Sequence, residues 1–245
     1  MPFLLNDITP SASNRVFAIG DIHGCFDEFD VLISFLETDA GLSSEDTIIF
    51  IGDYIDRGIN SKAVIEKLLC IQQKYPMSHF LRGNHEDMLL SYLGFEGHNG
   101  VGYLANGGRS TLRSYGFPNL PGSSQEVLDW LPREHVEFFL HLESAIKISS
   151  FLFVHAGISP EKKLEEQDEK TLFWIREDFI FQPHDLGMTI VFGHTPFEEI
   201  YFDLPYRIGI DTGLVYGNFL TGIELTTKSI YQVHIEKKEV RVSNW

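Results

Sequence analysis

Short apolar runs and amphipathic segments alternate along the first half of the chain. The runs have the length and residue types of strands and lie at 15–19, 47–51 and 79–81. Between them, segments 26–36 and 61–71 place their apolar residues on one helical stripe, and Ser61 predicts an N-cap. This order predicts a βαβαβ unit with parallel strands, because parallel neighbours are joined by such crossovers.

The second half of the chain contains mostly strand-like runs. A helical region is predicted over 124–141, with Pro132 suited to a first helical turn. The runs after it lie at 144–149, 151–155, 189–192, 207–210, 219–224, 230–235 and 239–242. We therefore expect an α/β protein in which a pair of sheets is covered by helices. Since the sequence contains no long linker, a single domain over 1–245 is expected.

Composition favours a folded chain with a large negative charge. Of 245 residues 43% are hydrophobic, and 35 acidic against 19 basic side chains give a formal net charge of −16. Nucleic acids and anionic membranes are bound through clustered Lys and Arg, so this charge argues against both as partners. A secretory signal and an apolar run of membrane-spanning length are not visible. With only Cys25 and Cys70 and no disulfide framework, we expect a cytoplasmic protein.

Five polar clusters follow apolar runs where strands are expected to end. They are GDIHG at 20–24, GDYIDRG at 52–58, GNHE at 83–86, VHAG at 154–157 and FGHTP at 192–196. Asp and Asn are ordinary turn residues, and one Gly-Asp alone would indicate only a turn. Five clusters in order are different, because open α/β sheets present their ligands at strand ends. Their carboxylate, amide and imidazole groups suit two divalent cations, whereas a structural zinc site typically uses thiolates.

The order of these motifs resembles the metallophosphoesterase superfamily, and within it the phosphoprotein phosphatase family. GDxHG, GDxxDRG, GNHE, a His before a Gly, and GHTP are all present. The segments NGG at 106–108, WIRE at 174–177 and IDTG at 210–213 extend the similarity to short bacterial and phage-type serine/threonine phosphatases. The resemblance spans about 16–225 and implies the calcineurin-like fold, a central two-sheet β sandwich flanked by helices.

The resemblance also implies a set of metal ligands. They are Asp21 and His23 for one ion, Asn84, His155 and His194 for the other, and Asp53 as the bridge. Manganese is the expected metal, and iron, zinc or cobalt also suits these donors. A water held between two such ions loses a proton near neutral pH, and the resulting hydroxide attacks phosphorus in line.

Four further residues receive roles from the same resemblance. His85 is the implied general acid, and Asp56 holds its imidazole protonated. Arg57 and Arg176 would clamp the phosphate, because a guanidinium offers two parallel donors to phosphate oxygens. The assignment of Arg176 rests on the short WIRE match alone. Segment 106–108 either shapes the loop beside the substrate or is a glycine-rich turn without a catalytic duty.

Two positions favour a monoester phosphatase within the superfamily. Pro196 stands where many relatives outside the phosphoprotein phosphatases carry a second metal-binding His, and Asp56 stands where symmetrical diadenosine tetraphosphate hydrolases commonly have another residue. A firmly held acid matters most when the leaving group is an alkoxide. The sequence therefore predicts a serine/threonine protein phosphatase that acts on a phosphoprotein or a small phosphate ester.

Two alternative functions stay open at this point. One is a diadenosine tetraphosphate hydrolase, for which segment 94–120 could supply groups that contact adenine. Those groups are Phe95, Tyr103, Arg109, Arg113, Tyr115 and Phe117. The other is a non-catalytic member of the family that serves as a protein-binding platform, although every implied ligand is intact in this chain.

Overall fold

The computed structural model describes residues 3, 5–9, 14–117, 119 and 121–245. Its strands are β1 (Leu5–Ile8), β2 (Val16–Ile19), β3 (Thr47–Phe50), β4 (Ser78–Phe80), β5 (Ala145–Ile148), β6 (Phe151–Phe153), β7 (Thr189–Phe192), β8 (Tyr201–Asp203), β9 (Arg207–Gly209), β10 (Phe219–Glu224), β11 (Ser229–His234) and β12 (Val240–Asn244). Its α-helices are α1 (Phe26–Thr38), α2 (Ser61–Lys74), α3 (Asn84–Tyr92), α4 (Gly108–Ser114), α5 (Ser124–Trp130), α6 (Arg133–Leu140), α7 (Glu169–Trp174) and α8 (Glu177–Ile180).

The strands form two mixed six-stranded sheets, which confirms the predicted α/β class and the two-sheet architecture flanked by helices. One sheet has the order β1-β5-β6-β7-β9-β8, and the other has the order β12-β11-β10-β2-β3-β4. The predicted parallel unit is present, since β2 pairs with β3 and β3 with β4 in parallel. Strands β10, β11 and β12 complete that sheet as an antiparallel meander.

Strand β3 shows how one short run serves two cores. Ile48 and Phe50 belong to the apolar cluster formed with the helices, whereas Ile49 and Ile51 belong to the cluster between the two sheets. Successive side chains of a strand point to opposite faces, so a strand covered on both faces is apolar throughout. All four residues of β3 are buried accordingly.

Several local predictions differ from the structure. Edge strands β1 and β8 were not predicted, and neither were helices α3, α4, α7 and α8. Ser61 is the first residue of α2, preceded by Asn60, and it does not cap the helix. The region predicted as helical over 124–141 contains two helices separated at Pro132, because proline restricts the preceding residue and cannot donate a backbone hydrogen bond. No helix in the described ranges is long and apolar enough to cross a membrane.

The two sheets are linked beside the loops that carry the polar clusters. Leu81 and Glu143 form an isolated parallel bridge, in which the Arg82 N–H donates to the Glu143 carbonyl at 2.8 Å. The Glu143 carboxylate accepts hydrogen bonds from Asn6 at 2.7 Å and from His79 at 2.9 Å, if that imidazole nitrogen carries the proton. Glu143 thus connects β1 of one sheet to β4 of the other.

Candidate active site

The clusters converge from both sheets, and the backbone that carries them is unusual. Five of the predicted site residues have positive φ angles: His23 at 47°, Asp53 at 53°, Asp56 at 72°, Arg57 at 65° and His194 at 65°. Residues other than glycine rarely adopt this left-handed conformation, which is held only when the surroundings enforce it. The loops therefore keep these side chains in orientations that an ordinary turn would not give.

Asp53 lies at the centre of the convergence. One carboxylate oxygen, Oδ1, accepts the His85 backbone N–H at 3.0 Å and lies 3.4 Å from His155 Nε2. The other oxygen, Oδ2, lies 3.4 Å from His23 Nε2. His23 and His155 come from different sheets, so the two oxygens of one buried carboxylate face imidazole nitrogens on both sides. This arrangement is the one that a bridging ligand requires.

Two groups of potential metal ligands share Asp53. The ligand atoms within each group lie within 4.8 Å of one another, and the groups are His23–Asp53–His85 and Asp53–His155–His194. Asn84 joins the second, because its Oδ1 lies 3.2 Å from His155 Nε2 and 2.7 Å from His194 Nδ1. His85, predicted as an acid and not as a ligand, stands in the first group.

Asp21 adjoins the second group. Its Oδ2 accepts the His194 backbone N–H at 3.1 Å. Its Oδ1 and His194 Nε2 are buried without a hydrogen-bond partner in the part of the chain that the structure describes. A side chain at Gly193 would collide with Asp21 Oδ1, so only glycine fits there. Buried polar atoms normally find partners, and these two are of the types that bind divalent cations.

The charges of the site also fit two cations. Burial raises the pKa of Asp21 well above its usual range, and the neighbouring carboxylates Asp211 and Asp53 raise it further. Burial lowers the pKa of His23 to about 3 and that of His155 and His194 in the same direction, so their imidazoles are neutral. Neutral imidazoles beside crowded carboxylates are what a metal ligand set needs, since a cation offsets the repulsion between the carboxylates.

A second set of hydrogen bonds holds His85. Its Nδ1 lies 2.7 Å from Asp56 Oδ2, and both side chains are buried. The other Asp56 oxygen accepts from the Thr111 hydroxyl at 2.6 Å, and the Asp56 N–H is shared between Thr111 Oγ1 and Ser61 Oγ. Burial alone would lower the pKa of His85, but Asp53 and the bond to Asp56 outweigh it and raise the pKa.

The predicted phosphate-binding arginines both lie near the ligand set. Arg57 Nη1 is 2.7 Å from His23 Nε2, and Arg57 Cζ is 5.4 Å from the centre of the Tyr216 ring. Arg176 precedes α8, and its charge helps to lower the pKa of His155 and His194. The structure thus brings all ten predicted site residues to one region.

Buried Arg207 anchors the helix that follows Arg176. Its Nη1 donates to the Phe179 carbonyl and, at 2.5 Å, to the Ile180 carbonyl, and its Nη2 donates to the Gln182 carbonyl at 2.7 Å. The guanidinium therefore binds backbone carbonyls in the last turn of α8 and just beyond it. Sequence reasoning assigned Arg207 only to a strand, and no signal in its neighbourhood indicates this contact.

Glu86 was quoted in the GNHE motif but received no role. Its carboxylate accepts four backbone N–H groups, from Gly83 at 3.1 Å, Asp53 at 3.0 Å, Tyr54 at 2.8 Å and Ile55 at 3.2 Å. It therefore ties the GNHE turn to the GDYIDRG loop and fixes the backbone of Asp53. Its place as the last residue of the motif is the signal that could have indicated this function.

In the described part of segment 94–120, the predicted substrate loop 106–108 lies at the site, whereas several aromatic residues pack in the core. Gly107 has φ 112°, and a Cβ atom there would lie 2.9 Å from Arg57 N and 3.1 Å from Asp56 Cβ, so this glycine packs directly on the site. Tyr103, Tyr115 and Phe117, however, are buried in the core, which makes the expectation that they contact adenine wrong. Of the remaining candidates, Arg109 and Arg113 are exposed on α4, and Phe95 is partly buried against the core.

Residues 14–218 match the sequence model of the calcineurin-like phosphoesterases. The chain belongs to this family. An asymmetrical bis(5′-nucleosyl)-tetraphosphatase, PrpE of Bacillus mycoides strain KBAB4, is 31% identical to this phosphoesterase in an alignment of 241 positions that covers 86% of the chain and 92% of the relative. The family consists of hydrolases that use two divalent metal ions, and the two groups sharing Asp53 are candidates to hold them.

Two solved structures share the fold over most of the chain. A candidate diadenosine tetraphosphatase superimposes on the phosphoesterase with a TM-score of 0.70 at 20% identity, covering 96% of this chain and 98% of the other. A serine/threonine phosphatase from Saccharomyces cerevisiae gives 0.62 at 15% identity, with 98% and 83% covered. At these identities the two neighbours establish the shared fold alone.

Proposed function

We propose that this phosphoesterase hydrolyses dinucleoside tetraphosphates. The observation that carries the proposal is the similarity to a bis(5′-nucleosyl)-tetraphosphatase over nearly the whole length of both chains. The relative is named asymmetrical, so cleavage into a nucleoside monophosphate and a nucleoside triphosphate is the expected outcome. This choice reverses the order of the sequence predictions, in which a serine/threonine phosphatase came first.

In this proposal, six residues hold two divalent ions. They are Asp21, His23, Asp53, Asn84, His155 and His194, with Asp53 shared between the ions. When bound, the ions supply Lewis acidity toward water and the phosphate oxygens. We propose manganese as the metal, because oxygen-rich ligand sets with imidazoles accept it readily.

The remaining assigned residues bind the phosphate and move a proton. Arg57 and Arg176 donate to the phosphate oxygens, and a planar guanidinium can make two such bonds at once. Asp56 occupies His85 Nδ1, which leaves Nε2 to donate a proton to the leaving oxygen. Attack of water breaks one phosphorus–oxygen bond of the anhydride, and the proton from His85 goes to the phosphate that leaves.

A phosphomonoester substrate is the second candidate. The buried chain Thr111–Asp56–His85 favours it, because an alkoxide needs a positioned acid more than an anhydride does. A phosphoserine or phosphothreonine protein would then be the substrate.

Turnover by the manganese-loaded enzyme separates the two candidates. Diadenosine tetraphosphate, a phosphoserine peptide and a phosphotyrosine peptide are compared at equal concentration, with products identified by ion-exchange chromatography. We expect the dinucleotide to be preferred and to give AMP and ATP. Preference for the phosphoserine peptide would overturn the proposal, and two molecules of ADP would contradict asymmetrical cleavage. Asp53→Asn serves as the inactive control.

A further inference from the structure

Tyr216 is an exposed aromatic residue in contact with the site. It ends the short 3₁₀ turn Leu214–Tyr216, and 63% of it is exposed. The Arg57 guanidinium stands 5.4 Å from the ring centre and 2.7 Å from His23 Nε2. Arg57 therefore lies between the metal-ligand set and the ring, which keeps most of its surface open to solvent.

The backbone of the turn that carries Tyr216 is restrained by hydrogen bonds and by a buried neighbour. Gly213 and Gly217, with φ angles of 70° and 100°, bound the turn, and the Gly213 N–H donates to the Asp211 carboxylate at 2.9 Å. Leu214 is buried in the core. The Tyr216 N–H donates to the Gly213 carbonyl at 2.9 Å. A turn so restrained loses little backbone freedom when a ligand packs on its exposed aromatic residue.

We propose that the Tyr216 ring is the platform on which a nucleobase of the substrate stacks. The inference rests on the proposed dinucleotide hydrolysis and assigns the residue that recognises the nucleoside. A flat, open ring beside a phosphate-binding arginine can hold the base while the arginine holds a phosphate of the same molecule. Base–aromatic stacking is sequence-tolerant because every base has a π-face, so Tyr216 favours nucleotides without selecting one base.

Three aromatic residues of the alternative platform predicted from the sequence cannot stack on a base. Tyr103, Tyr115 and Phe117 are buried, so their ring faces are taken by the core. Tyr216 instead ends the 3₁₀ turn that follows the IDTG motif, and its ring is exposed beside Arg57.

The test compares Tyr216→Ala, Tyr216→Phe and wild type. Affinity for a non-hydrolysable methylene analogue of diadenosine tetraphosphate is measured by calorimetry. The ratio of kcat/KM for the dinucleotide to kcat/KM for glycerol 2-phosphate, which has no base, is measured in parallel. We expect Tyr216→Ala to lower both the affinity and the ratio by about 5- to 150-fold, the loss of one stacked base, and Tyr216→Phe to retain both.

Other results would overturn either the stacking role of Tyr216 or the proposed function itself. An unchanged affinity in Tyr216→Ala, or an equal loss with both substrates that leaves the ratio unchanged, would overturn the stacking role. If the wild type itself neither binds the analogue nor cleaves the dinucleotide, the proposed function fails, and the inference with it. Phe202→Ala is the matched control, because Phe202 is a partly exposed aromatic that packs on Trp245. It should change neither quantity.

Discussion

His85 Nδ1 lies 2.7 Å from Asp56 Oδ2 inside the protein, where neither side chain is accessible to solvent. This bond and the charge of Asp53 raise the pKa of His85 against the effect of burial. A histidine that must donate a proton loses activity as the pH rises through its pKa. In the proposed mechanism, in which His85 donates the proton, the pair therefore extends the active range to higher pH.

Asp56→Asn should move the alkaline limb of kcat/KM to lower pH. The substitution removes a negative charge and a hydrogen bond that favour the imidazolium, so the pKa of His85 falls and the proton is lost earlier. We expect a loss of about 10²-fold with an alkyl phosphate and a smaller loss with a phosphoanhydride, whose leaving group needs less help. An unshifted limb in pH–rate profiles would contradict the pairing.

Gly107→Ala should reduce kcat by displacing Arg57 and Asp56. A Cβ atom at this position approaches both residues closely and also strains a backbone at φ 112°. Gly116→Ala is the matched control, since φ is 81° there and no heavy atom lies within 4 Å of the added carbon. Both variants should lose about 1 kcal/mol of stability from backbone strain, but only Gly107→Ala should lose activity. Equal activities would show that Gly107 has no influence on the site.

Manganese should stabilise the fold by an amount that rises with the logarithm of its concentration above the Kd. The buried carboxylates Asp21, Asp53 and Asp211 repel one another, and a cation that binds only the folded chain adds about 2.7 kcal/mol at a hundredfold excess over its Kd. Differential scanning calorimetry should therefore show a rise in Tm of several degrees on adding manganese, reversed by a chelator. Asp53→Asn should remove most of this rise, and a full rise in that variant would exclude Asp53 as a bridge.

Glu143→Gln should destabilise the protein at neutral pH but not in acid. Burial would raise the pKa of Glu143, but hydrogen bonds from His79 and Asn6 lower it below the ordinary 4.5. A group with a lowered folded pKa stabilises above its unfolded pKa, and this contribution is lost as the pH falls through the folded value. Urea unfolding should show a loss of about 1–2 kcal/mol at pH 7, shrinking below pH 4.5.

A surface carboxylate provides the comparison for Glu143. Glu137 lies 3.7 Å from Arg133 Nε, and both side chains are largely exposed. Exposed pairs contribute little because water screens them, so Glu137→Gln should change the free energy of unfolding by less than about 0.5 kcal/mol at either pH. A loss as large as that of Glu143→Gln would show that the link between the sheets has no special weight.

The sequence predicts site residues inside contiguous motifs better than residues that contact the site from distant parts of the chain. Residues within contiguous motifs, such as Asn84 and His194, could be predicted as site residues because their neighbours also carry the pattern, and the structure places them close together. Thr111 and Arg207 were missed because they act on Asp56 and α8 across long sequence separations, and their own surroundings carry no signal. Ser61 was read as a local cap, whereas tertiary structure uses its hydroxyl for the Asp56 backbone.

Edge strands were predicted less consistently than strands with both faces buried, since exposed edge strand β12 was predicted whereas β1 and β8 were not. β3 and β7 are continuous apolar runs, whereas edge strand β1 has the sequence LNDI and exposes part of its surface. A strand that is covered on one side and interrupted by polar residues lacks the periodicity on which prediction relies. Edge strand β8 was not predicted for the same reason, since it is short and largely unburied.

The left-handed backbone at His23, Asp53, Asp56, Arg57 and His194 limits how this chemistry can be transplanted. Copying the side chains alone onto the turns of an unrelated scaffold would leave them in ordinary right-handed or extended conformations, pointing elsewhere. A successful graft must import the supporting loops as well, including the Glu86 carboxylate that binds their N–H groups. For protein engineers, the transferable unit is thus a set of strand-to-loop segments and not a list of residues.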